Sequence, residues 1–299
     1  MLLPLQNRYL HLLPVEQGEC LPSWLLRISN RTIPNFRDFS TIWLADPLRV
    51  TPGFDAFPAA SLLTQIGAIQ FHELDYYVTH HTLLGTTKIF YNQSDWQRLV
   101  TSHGAESSRI YILRRKSKQR TWHVCPHCRS AELERGHATW QCVPQITGLF
   151  YCPLHESPIV TDSRTRNPPI AAPSVFDLSN AAPPLDLSQK EDHILLAKDI
   201  AAAVAIGECH RASSLPFRDS LALELFGCRW LEAPSCWPVL KRRFGKSFLD
   251  TIQIKPYNDR QSCHAHLYPS VNGIVYLAAL ARAFDTNLPD LLEAVNCCG

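Results

Sequence analysis

No apolar run in the sequence approaches the roughly 18 residues that a membrane-spanning helix needs, so nothing here reads as a bilayer span. The opening residues, MLLPLQNRYLHLLP, are broken by Pro4, Arg8 and Pro14 and offer no small-residue cleavage site; they do not read as a secretory leader. Charge of one sign is lacking too. A net charge of +2 over 299 residues restricts any nucleic-acid contact to local patches. The expected location is the cytoplasm, with reduced thiols, where close cysteine pairs are metal ligands more often than disulfides. Catalytic signatures are missing as well. There is no glycine-rich phosphate loop, nucleophile elbow or clustered acidic triad, which argues against an ATPase, a hydrolase or a transposase. The stretch HELDYYVTHH begins like a zinc-protease helix, but Tyr76 stands where the second histidine would be.

What is present is cysteine, eleven in all, and one ordered group of them. Cys125-Pro126-x-Cys128 opens a stretch that closes with Cys152-Pro153-x-His155. Each pair sits on a tight turn that aims two side chains at one point, and proline holds the same place in both turns. Three thiolates and an imidazole are a tetrahedral ligand set for structural zinc. With four protein ligands no position is left for water, so this zinc is expected to stabilise rather than catalyse. His127, His137 and Cys142 are competing ligands. A second group, Cys263, His264 and His266, with Cys228 or Cys236, has irregular spacing and reads as loop residues or a second metal site.

The pattern around this centre is mainly α. Leu21, Trp24, Leu25 and Ile28 fall at helical spacing, with Pro22 in the first turn and Arg27 off the stripe. Residues 60 to 83 read as a helix to Gly67, a turn, and a second helix carrying Leu74, Tyr77 and Val78; that is the outline of a helix-turn-helix or of an ordinary helical hairpin. Five prolines between residues 164 and 189 make an extended connector. Beyond it, Ser188 and Glu191 form a capping box ahead of a helix that Gly207 ends. Further helices are expected to Gly227, across Gly245, and on either side of a turn near residues 285 to 287. The division is 1–108 helix-turn-helix domain, 109–163 zinc-finger module, 164–189 linker and 190–299 helical domain.

Two basic stretches stand out. Arg109, Arg114, Arg115, Lys116, Lys118 and Arg120 precede the metal motif, with Trp122 and His123 available for stacking; Lys241, Arg242, Arg243 and Lys246 lie on an expected helix. Each is read as a solvated face or as a phosphate-contacting strip.

Three segments together resemble the TniQ/TnsD family of transposition target-selection proteins. Gly18, Glu19, Leu21, Ser23, Trp24, Leu25 and Arg27 match its N-terminal motif. The stretch LLTQIGAIQFHELDYYVTHHTL is similar to its helix-turn-helix. The metal motif matches in order, with Gly136, Trp140, Gln145, Ile146, Gly148 and Leu149 between the two pairs. The likeness spans roughly residues 14 to 160. Departures are Cys20 in place of serine, Gln141 and Cys142 where an arginine pair is usual, Pro144 in place of histidine, and no second cysteine-rich knuckle. The resemblance implies a non-enzymatic adaptor that recruits an AAA+ ATPase regulator to target DNA. Some members read an attachment site directly; shorter ones ride on a CRISPR RNA-guided complex with its guide RNA, and this length is closer to the short kind. An ordinary zinc-containing transcription regulator is the alternative from another class. Similar helical ends permit a homodimer.

Overall fold

The structure is a computed structural model. It describes residues 13–32, 60, 63–64, 67–101, 122–136, 138–161, 189–210, 212, 214–229, 231, 233–254 and 271–297. Among them the chain is mainly helical, as the sequence pattern predicts, and none of its helices is long and apolar enough to cross a membrane.

The apolar stripe of the first helix, α1 (Leu21–Thr32), is buried as its spacing requires: Leu21, Trp24, Leu25 and Ile28 all face inward. They pack with Leu63, Ile69, Leu74, Val78, Leu84, Trp96 and Val100 into a first core. Ala60, Leu63 and Thr64 are helical, the chain turns at Gly67, and a short 3-10 turn (Phe71–Glu73) leads into α2 (Leu74–His81). The Glu73 carboxylate reaches back to accept the Gln70 backbone N–H at 3.1 Å and so closes that start. Where residues 60 to 83 are described, helical residues, a turn and a helix follow in the expected order. A buried 3-10 helix of eight residues (Leu83–Phe90) follows, longer than such helices usually run. Its hydroxyls help to account for it. Thr86 and Thr87 donate to the carbonyls three residues back, at 2.6 and 2.7 Å, and Thr82 accepts from Leu84 N. Helix α3 (Gln93–Thr101) completes the region, its start held by Asn92 Oδ1 accepting from Asp95 N at 2.7 Å.

Strand β1 (His123–Val124) pairs antiparallel with β2 (Val160–Thr161), His123 opposite Thr161 and Val124 opposite Val160. Between them lie α4 (Pro126–Glu134) and a loop that packs in two directions. Trp122, Val124, Trp140 and Cys142 join the first core, whereas Ile146, Leu149, Phe150, Tyr151 and Ile159 join a second.

That second core is built by α5 (Lys190–Ile206), α6 (Leu215–Phe226), α7 (Trp237–Thr251), α8 (Val271–Ala283) and α9 (Leu288–Cys297). Helix α8 is its axis: Ile274 to Ala281 are buried without interruption, which suits a helix apolar on every side. Gly207 and Gly227 end α5 and α6 in the left-handed conformation, as expected. Gly245 interrupts α7 with a positive φ of 77°. Helix α5 begins at Lys190 with Gln189 ahead of it, and Ser188 of the expected capping box lies outside the described residues. Asp199 ties three helices together. It accepts from Arg282 Nε at 2.7 Å and from the backbone of Leu288 at 3.4 Å.

Candidate metal centre

Cys125 is the N-cap of α4 and Pro126 takes the first helical position, where a missing N–H costs nothing. One helical turn then brings Cys128 round to the same side. The second knuckle forms because Cys152 O accepts from Glu156 N at 2.9 Å, with Glu156 in a left-handed conformation at φ 51°, and Cys152 N donates to Ser157 O. This turn carries His155 back towards Cys152.

The four side chains meet. Cys125 Sγ and Cys152 Sγ each lie 3.7 Å from His155 Nδ1, Cys128 Sγ lies 3.2 Å from it, and Cys128 Sγ is 3.7 Å from Cys152 Sγ. All four ligand atoms fall within 4.8 Å of one another. A tetrahedron with Zn–S of about 2.3 Å and Zn–N of about 2.05 Å has S···S edges of about 3.8 Å and S···N edges of about 3.6 Å. The observed separations fit that shape, and the donor set of three sulfurs and one imidazole suits zinc. Hydrogen bonds from Cys128 and Cys152 hold the Cys125 thiol far below its ordinary range, while their bonds with Cys125 push Cys128 and Cys152 up. A dication at the centre would favour all three sulfurs as thiolates.

Around the ligands stands a second layer that the spacing alone does not reveal. Ser157 Oγ lies 3.1 Å from Cys125 Sγ, and the Cys128 N–H points to the same sulfur at 3.5 Å. Glu156 pairs with Lys198 at 2.6 Å, joining the second knuckle to α5. Gly148 makes the closest approach to the second core. A Cβ there would stand 2.4 Å from Ile252 Cγ2 and 3.3 Å from Val275 Cγ1, on a backbone with φ 94°, so only glycine fits.

The N-terminal motif grips the other side of the module. Glu19 is fully buried and accepts from Ser23 Oγ at 2.8 Å, from Arg27 Nε at 2.8 Å and Nη2 at 2.6 Å, and from Glu16 N at 3.0 Å. Ser23 in turn accepts from Trp140 N at 2.9 Å, and Cys20 N donates to Trp140 O at 2.7 Å. His81 Nδ1 lies 2.8 Å from Glu19 O, which fixes the proton on that nitrogen because a carbonyl only accepts. From α4 the buried Arg129 guanidinium lies over the Trp140 ring at 4.9 Å and pairs with Glu132 at 3.5 Å.

Of the competing ligands, His127 is exposed, with its ring 5.7 Å from that of His155 and outside the cluster. Cys142 is buried in the first core, and His137 lies outside the described residues. Gln141, at one of the expected arginine positions, donates to Glu132 Oε1 at 3.0 Å and to Thr139 Oγ1 at 2.7 Å. The sequence pattern gives Gln145 no role, and the structure supplies one. Its buried amide accepts from His123 N at 2.9 Å and donates to His123 O at 2.7 Å.

The basic strip of Arg109, Arg114, Arg115, Lys116, Lys118 and Arg120 lies outside the described residues, as do Cys263, His264 and His266. On α7, Lys241, Arg242 and Lys246 are exposed, while Arg243 is engaged with Asp192 and Asp285, each at 2.7 Å. Cys236 is disulfide-bonded, against the expectation of reduced thiols. Among the described residues, Cys125, Cys128, Cys152 and His155 form the one cluster able to hold a metal ion. No protein-family model matches the chain, and no curated protein matches it.

Proposed function

We propose that the chain is a TniQ-like adaptor that selects the target site in transposition. In this reading it bridges a CRISPR RNA-guided complex, with its guide RNA, to the AAA+ ATPase regulator of the transposase. The observation that carries the reading is the position of the Cys3His cluster, in a segment whose apolar side chains are divided between two helical cores. A closed four-ligand zinc there holds two bodies at one mutual orientation and leaves no coordination site for a substrate, which is what a bridge needs and an enzyme does not.

The outward face of α2 favours a protein partner over direct reading of DNA bases. Leu74–His81 contains no lysine or arginine, and its exposed side chain is Tyr76, whereas major-groove readers rely on Arg, Lys, Asn and Gln. The second reading, direct binding to target DNA at an attachment site, draws on the exposed Lys241, Arg242 and Lys246. Affinity purification of the tagged protein from cells expressing its neighbouring genes separates the two. Recovery of a discrete guide RNA with its protein complex supports the adaptor. Recovery of no RNA, with one duplex site protected in footprinting, supports direct reading.

A further inference from the structure

Cys20 and Cys142 lie 122 residues apart in the chain and 3.1 Å apart at their sulfurs. Both are free thiols, 3% and 4% exposed. The backbone on each side of the contact is held by a short antiparallel bridge. Glu19 pairs with Gln141, Cys20 N donates to Trp140 O at 2.7 Å, and Cys142 N donates to Gly18 O at 2.8 Å. Neither sulfur belongs to the metal cluster.

We propose that Cys20 and Cys142 form a thiol modification site, which a peroxide closes to a disulfide joining the segment before α1 to the zinc-stapled module. The thiolate of one cysteine attacks a peroxide oxygen, breaking the O–O bond to give a sulfenic acid and, with hydrogen peroxide, one water. The second thiol then attacks that sulfur, the S–S bond forms, and a second water leaves. Two thiols are oxidised, the peroxide is reduced, and two waters account for its oxygens and for the protons. The sulfurs need to approach by only about 1 Å to reach disulfide distance. Burial pushes the Cys20 thiol up, and the neighbouring Cys142 and Glu19 add to this. That thiol therefore stays protonated until a local opening of the segment before α1 admits oxidant. Once closed, the link holds α1 to the module whether or not zinc is bound.

The test uses the zinc-loaded full chain treated with stoichiometric hydrogen peroxide, followed by alkylation of the remaining thiols, digestion without reductant and mass spectrometry. The expected product is a Cys20–Cys142 linked peptide, about 2 Da lighter than the sum of its parts, abolished by dithiothreitol and formed with zinc retained. Oxidation also raises the thermal midpoint by several degrees, and Cys20→Ser loses both effects; if that variant does not fold, Cys142→Ser serves in its place. Recovery of Cys20 and Cys142 as alkylated thiols while other thiols oxidise overturns the proposal. So does a linked peptide found only in protein that has lost its zinc.

Discussion

The two cores are held by different forces. Around α1 and α2 the buried contacts are directional. Glu19 gathers Ser23, Arg27 and the Glu16 N–H, and Asp75 takes Lys88 at 3.3 Å and the Trp96 indole, with the Lys88 ammonium over the Trp96 ring at 5.4 Å. Around α8 the contacts are mainly apolar, with Ile274, Val275, Leu277 and Leu280 buried among small residues beside directional ties such as Arg282 to Asp199. Directional contacts specify one orientation and fail abruptly when a partner is removed. Apolar contacts are more tolerant and fail in proportion to the volume disturbed. The metal module lies between the two and contributes side chains to both.

The largest blow should fall on both cores at once. Cys152→Ser removes one of the four residues that could hold a metal ion, and structural zinc contributes on the order of 10 kcal/mol in small modules. Zinc content by mass spectrometry should drop well below one equivalent, and near-ultraviolet dichroism should show loss of tertiary packing around Trp122 and Trp140; one full equivalent of zinc in the variant would overturn the ligand assignment.

Next comes the directional core alone. Glu19→Ala leaves Arg27 and Ser23 facing a buried void, and breaking such a pair costs about 3–5 kcal/mol. Denaturant unfolding should show that loss with zinc still bound. A midpoint unchanged from the wild type would mean that Arg27 finds solvent instead.

Acid sharpens the contrast from the other side. His193 sits edge-on among Phe150, Phe244 and Phe248, and burial lowers it to about 4; burial lowers His123 likewise to about 4. Both are neutral in the fold, and the unfolded chain takes up these protons first. The stability they represent is present above about pH 6.5 and is lost as pH falls towards 4, by about 2 kcal/mol each at pH 5. His193→Phe should flatten its share of that slope in urea titrations run at pH 7 and pH 5, and an identical slope in variant and wild type would remove His193 from the account.

A comparable effect belongs to the apolar core. Gly148→Ala puts a Cβ against Ile252 and strains a left-handed backbone, for about 1–3 kcal/mol. Hydrogen exchange should quicken in α7 and α8 and leave α1 unchanged. Equal loosening of both would mean that the cores respond as one.

Much of this architecture is legible in the sequence because it rests on local chemistry. Gly207 and Gly227 end their helices, the turn falls at Asp285 to Asn287, and the two Cys-Pro frames meet at one point. What stays hidden depends on distant partners. Arg27 reads as a residue off the apolar stripe, and only the fold shows that Glu19, ahead of the helix, receives it. Leu83–Phe90 has no helical period to read; its hydroxyl-to-carbonyl bonds make the 3-10 turn. The division of the metal module between two cores has no signature in the spacing of its ligands.

The Gln145 amide has one more consequence. A ribbon of two short strands leaves backbone groups unpaired along its edges. Gln145, fully buried, supplies both an acceptor and a donor to His123, so one side chain stands in for a third strand on the inner edge. Gln145→Leu keeps the bulk and leaves a buried N–H and C=O without partners, and it should show itself as a loss of stability of about 1–3 kcal/mol per group in denaturant unfolding.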